Sequence, residues 1–146
     1  MTIIGLNENI HHDDFEYAVT SYSLTKQIVN NQDSLIANGN FYLISFRVMN
    51  NALRVNHPWS NSIAYIIDED GIIYENNKDA QKKLNSNTPF GWEENYLTHF
   101  QSSNTTILVF DLPLTIKNPC LMIRGETLMG DVFDRGKFRR TKVRLY

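Results

Sequence analysis

Phe41-Tyr42-Leu43-Ile44-Ser45-Phe46-Arg47-Val48-Met49 is the stretch that decides the fold class. In an extended strand successive side chains point to opposite faces. Tyr42, Ile44, Phe46 and Val48 therefore share one face, and Phe41, Leu43, Ser45 and Arg47 the other. The first set is wholly apolar or aromatic, the types that favour a pleated, buried surface. The strand is expected to stop at Asn50-Asn51.

Upstream, Gln27 to Asn40 is polar and ends in Asn38-Gly39-Asn40, which reads as a turn. Before it, Phe15, Tyr17 and Val19 alternate with Glu16, Ala18 and Thr20, a second half-buried strand. The apolar phase then slips to Tyr22 and Leu24. A one-residue slip exchanges faces, so a bulge is expected near Thr20-Ser21. Residues 1–14 read as an irregular lead-in, and 15–146 as the folded domain.

Downstream, Ile63 to Ile67 and Ile72 to Tyr74 flank Asp68-Glu69-Asp70-Gly71, a hairpin in which Gly71 supplies a positive φ. Asp68 and Asp70 can cap backbone N–H groups there. Lys78 to Leu84 suggests a turn or two of helix. Phe90, Trp92, Tyr96, Leu97 and Phe100 suggest a long loop packed onto a sheet. Thr105 to Leu112 is a strand ended by Pro113, and its apolar faces on both sides imply a central position. Cys120 to Arg124 and Lys137 to Tyr146 complete the set, with Val143 and Leu145 facing in.

Short strands, turn signals and at most one short helix predict an all-β fold, an immunoglobulin-like antiparallel β-sandwich in a single domain. Composition agrees. Seven tyrosines and eight phenylalanines enrich the chain in strand-favouring residues, and 146 residues suffice for a core without staples. A net charge of -2 offers no general attraction to nucleic acid. No stretch is long and apolar enough to span a bilayer. Met1 to Leu6 lacks the basic region and apolar core of a signal peptide. The one cysteine, Cys120, reads as a small buried apolar residue.

Four segments carry a resemblance. Asn38 to Ile44 pairs a glycine with an aromatic-aliphatic strand. Phe46 to Asn51 ends that strand at an Asn pair. Ile66 to Tyr74 is an aliphatic-Asp-x-x-Gly-x-x-Tyr hairpin. Val109-Phe110-Asp111-Leu112-Pro113 is a Phe-Asp-aliphatic-Pro strand. Together they resemble the bacterial immunoglobulin-like (telokin-like) domain family of unknown function, found in secreted proteins and lipoproteins, with a fold like the mycobacterial immunoprotective extracellular protein. Ser102-Ser103-Asn104 stands where that family often has a Pro-Gly turn, and the lipoprotein cysteine and linker are absent. The resemblance implies the sandwich fold and an extracytoplasmic setting, secreted or tethered by an upstream anchor. It brings no catalytic residues.

No catalytic constellation, cofactor motif or metal framework emerges. His11-His12-Asp13-Asp14 holds ligand-type residues, but neighbours on an extended chain point apart. Asp68, Glu69 and Asp70 lack the spacing of a calcium loop. The basic run Arg135, Lys137, Arg139, Arg140, Lys142 and Arg144 reads as a solvated edge strand or an anion-binding face. Trp59, Trp92, Tyr96 and Phe100 read as core plugs or as an exposed aromatic surface. The candidate partner-binding residues are thus Trp59, Trp92, Tyr96, Arg139 and Arg140. The expected function is a non-enzymatic extracytoplasmic binding or interaction module for a protein or polysaccharide. The alternatives are a β-sandwich enzyme acting on carbohydrate or cell-wall material, and a structural spacer.

Overall fold

The structure, a computed structural model, describes residues 2–30, 33–85, 95–124 and 141–146. Its strands are β1 (Thr2–Ile4), β2 (Ile10–His12), β3 (Phe15–Asn30), β4 (Asp33–Asn50), β5 (His57–Ser60), β6 (Ala64–Ile67), β7 (Ile73–Tyr74), β8 (Asn95–Thr98), β9 (Ser102–Leu112), β10 (Cys120–Ile123) and β11 (Thr141–Arg144). One α-helix, α1 (Lys78–Asn85), and one 3-10 turn (Asn61–Ile63) interrupt them.

Two sheets face each other. One has the order β2-β3-β4-β9 and the other β1-β11-β10-β6-β7, while β5 and β8 form a separate ribbon. The protein is an all-β sandwich, with one short helix among the described residues. Its pairings are antiparallel except β1 with β11, which is parallel.

The face assigned to β4 is the buried one. Ile44, Phe46 and Val48 are inaccessible and Tyr42 nearly so. They pack with Tyr17, Val19, Leu108, Phe110 and Leu112 from their own sheet. Ala64, Ile66, Leu121, Ile123, Val143 and Leu145 meet them from the opposite sheet. Burial of these side chains is the main stabilising term, roughly 1.5–3 kcal/mol for each large one.

The slip read near Thr20-Ser21 is a bulge: pairing shifts between Val19↔Phe46 and Ser21↔Ser45. The Asp68 hairpin also forms as read. Gly71 has φ +83°. Asp68 Oδ1 accepts the N–H groups of Asp70 and Ile72, each at 2.9 Å, and Oδ2 accepts the Tyr74 hydroxyl at 3.3 Å.

Five expectations change. The lead-in is not irregular: β1 lies along β11, and β2 pairs with β3 through a two-residue turn in which Asp13 has φ +53°. Neither strand alternates long enough to show in the sequence. Asn38-Gly39-Asn40 is not the chain reversal. The β3–β4 hairpin continues to Asn30↔Asp33, and Ala37 to Asn40 bulge out opposite Lys26. Gly39 serves close approach instead, since a Cβ there would sit 1.9 Å from the Leu112 carbonyl oxygen.

Among the described residues β9 is an edge strand, not a central one. At Val109 its second apolar face is covered by α1, whose Ala80 packs with Val109, Phe41, Ile28 and Ala37 in a smaller core, while Ile107 on the same face stays exposed. Finally, β11 is not an edge, because β1 and β10 flank it. Residues 95–98, expected in a loop, pair with 57–60 as the β5–β8 ribbon.

Candidate functional site

The Thr20 bulge has a local consequence. Without it, Tyr22 and Leu24 would sit on the face opposite Val19. With it, Tyr22 pairs with Ile44 and Leu24 with Tyr42, on the inner face. Tyr22 and Tyr42 then lie with ring centroids 6.3 Å apart and planes 11° from parallel. Tyr42 is buried behind and Tyr22 is half-exposed in front. Burial, then the neighbouring Tyr22, raises the Tyr42 hydroxyl above the usual phenol range, so Tyr42 is a neutral hydrogen-bonding group.

These rings form one wall of an open groove of about 490 Å³. The other wall comes from the facing sheet: Glu69 in the β6–β7 turn, Ile116 to Pro119 in the β9–β10 loop, and Leu145-Tyr146 after β11. Backbone bonds fix that wall. Glu69 N–H donates to the Lys117 carbonyl at 3.0 Å, and Leu145 N–H to the Pro119 carbonyl at 3.0 Å. Asn118 holds φ +51°, which turns the loop back. Leu24 and Tyr146 are about half exposed at the rim, and the Arg144 guanidinium lies 5.3 Å from the Tyr146 ring centroid.

The groove therefore offers aromatic faces, one carboxylate, one ammonium and one carboxamide. Glu69 is the carboxylate among its lining residues.

The two described residues singled out by sequence, Trp59 and Tyr96, fall elsewhere. Trp59 is buried core: its Nε1 donates to Thr98 Oγ1 at 2.9 Å and its ring stacks on Tyr96 at 4.3 Å. It plugs the sandwich, because an aromatic on a short strand packs inward where an N–H partner exists. Tyr96 is half-buried beside it, with its hydroxyl 3.4 Å from Thr106 Oγ1. Trp92, Arg139 and Arg140 lie outside the described residues, as do Phe90, Arg135 and Lys137. Sequence reasoning missed Tyr22, Tyr42, Lys117 and Asn118 as a unit. The phase slip at Thr20 was the one signal that pointed to them.

The other clusters resolve into structure. His11 is exposed, with Nδ1 3.7 Å from Glu16 Oε1, and His12 is buried on the opposite face of β2. His57 stacks on Phe15 at 4.0 Å, and its Nε2 lies 2.8 Å from the Tyr17 hydroxyl. Burial, with a smaller contribution from His12, lowers His57 to about 4. Cys120 is buried, and desolvation raises its thiol above the ordinary range. Among the described residues, no three His, Cys, Asp or Glu side chains gather as a metal site. Likewise, no described helix is long and apolar enough to cross a membrane.

The four resemblance segments prove to be backbone locks. Asp68 holds its hairpin as described. Asn50, fully buried, donates to the Val55 and Thr98 carbonyls and accepts the Ala52 N–H. Asp111 accepts the N–H groups of Asn38 and Gly39.

No known family model matches the chain. No curated protein matches it either. Solved structures do. The YjhA protein from Bacillus subtilis superposes with a TM-score of 0.64 at 10% identity, over 100% of both chains. An uncharacterized β-sandwich protein from Clostridium difficile 630 gives 0.59 at 12%, over 99% of this chain and 94% of that one. A secreted protein from Mycobacterium tuberculosis, MPT63, gives 0.57 at 13%, over 86% and 90%. At these identities the likeness establishes the β-sandwich fold.

Proposed function

We propose that this chain is a non-enzymatic binding module working outside the cytoplasm, secreted or tethered, and that it takes a saccharide chain in the Tyr22–Tyr42–Tyr146 groove. The observation that carries the reading is the bulge-built tyrosine wall facing Glu69, Lys117 and Asn118. Sugar rings present C–H faces that pack on aromatic rings, and hydroxyls that need hydrogen-bond partners. A concave site with few polar groups among aromatic ones fits both demands. The extracytoplasmic setting draws support from the structural likeness to a secreted mycobacterial protein.

Calorimetric titration with soluble peptidoglycan fragments and neutral oligosaccharides tests this. The parent chain should bind. Tyr22→Ala should lose about tenfold in affinity, the worth of one aromatic contact, while melting cooperatively. Equal affinity in parent and Tyr22→Ala would overturn the groove as the site.

A further inference from the structure

The edge of β9 raises a question separate from the groove. A sheet's last strand leaves a row of backbone N–H and C=O groups open to another strand. Here α1 fills that place. Gln81 is fully buried. Its Oε1 accepts the Val109 N–H at 2.9 Å, and its Nε2 donates to the Ile107 carbonyl at 2.7 Å. That is the donor-acceptor pair a neighbouring strand would present. Asn77 N–H at 2.9 Å and Asn76 Nδ2 at 3.1 Å satisfy the Val109 carbonyl.

What lies beneath is adhesive. Thr105-Thr106-Ile107-Leu108-Val109-Phe110 is β-branched, aliphatic and aromatic, with no charge, glycine or proline. Such six-residue runs self-pair when exposed. The cover itself is short, eight residues, below the length at which a helix holds without packing. Ala80 and Leu84 are its apolar anchors on the sheet.

We infer that α1 is a displaceable guard on β9, and that the edge it covers is an acceptor for the same edge of a second copy of this chain, paired antiparallel about a twofold axis. The self-complementary run names the occupant, since an isologous contact needs one patch that fits itself. Opening α1 exchanges the Gln81 bonds for bonds to the second β9.

Two measurements test the inference. In hydrogen exchange on the native chain, the Val109 amide, held by Gln81, should exchange through a local opening. The Leu108 amide, pointing into the ladder with β4, should exchange at least tenfold more slowly. A single shared opening for both would overturn the guard. In sedimentation, Gln81→Ala should dimerise at concentrations where the parent is monomeric. Adding Ile107→Lys, a charge on the edge strand, should restore the monomer. A folded Gln81→Ala chain that stays monomeric at millimolar concentration would overturn the acceptor. If Gln81→Ala does not fold, the exchange comparison decides.

Discussion

The carboxylate of Asp111 on β9 closes the bulge of β4 at Gly39. Its Oδ1 accepts the Gly39 N–H at 3.0 Å and its Oδ2 the Asn38 N–H at 2.8 Å. Lys26 Nζ donates to the Gly39 carbonyl at 2.7 Å, so the bulge's unpaired groups are answered by side chains on both neighbouring strands. Gly39 has no Cβ to keep Leu112-Pro113 away, which lets the Asp111 end of β9 come this close.

Asp111→Ala should therefore cost about 1–3 kcal/mol, chiefly the penalty for leaving the buried Gly39 N–H without its acceptor. Gly39→Ala should cost more, roughly 3 kcal/mol or above, because its methyl meets backbone that cannot swing aside. Urea unfolding of both variants checks the order. A Gly39→Ala chain as stable as the parent would contradict the close approach.

Phe46 is inaccessible at the centre of β4, stacked at 6.0 Å on Tyr17 and edge-on at 6.0 Å to Trp59. Phe46→Ala should cost about 3–5 kcal/mol. A thermal melt unchanged by that substitution would contradict the register.

His57 gives stability a pH dependence. Its folded value of about 4 lies below the ordinary 6.5, so the unfolded chain binds the proton more readily. The contribution is complete above pH 6.5 and is lost as pH falls towards 4. The shift corresponds to at most about 3 kcal/mol, and solvent screening of a half-buried ring reduces that to roughly 1–2 kcal/mol. Stability measured by denaturant from pH 7 to 4 should fall accordingly, and His57→Gln should flatten the slope. An identical slope in parent and variant would assign the loss to other groups.

Strand periodicity made the core legible: β4, the Asp68 hairpin, the Thr20 bulge and the end of β9 at Pro113 all follow from residue order. What stayed hidden was non-local. Asn38-Gly39-Asn40 carries turn chemistry, but its partners Asp111 and Lys26 satisfy it within a strand. The two apolar faces of β9 mimic a central strand because α1 covers one of them at Val109. Trp59 was open between core and surface until Thr98 supplied its acceptor. The groove was the least legible feature, since Tyr22, Tyr42, Glu69 and Lys117 come from four separate places in the chain. Only the phase slip that brings Tyr22 inward left a mark in the sequence.

The central claim is that ligand binding belongs to the groove, while the recurring Asp, Asn and Gly motifs hold backbone. Chemical-shift mapping on the labelled chain, titrated with soluble peptidoglycan fragments and neutral oligosaccharides, tests it most directly. The account predicts shifts gathered at Tyr22, Tyr42, Lys117, Asn118 and Tyr146, with Asp68 and Asp111 unmoved. Shifts centred on Trp92, Arg139 and Arg140 with the groove silent, or no shifts at millimolar ligand, would contradict it.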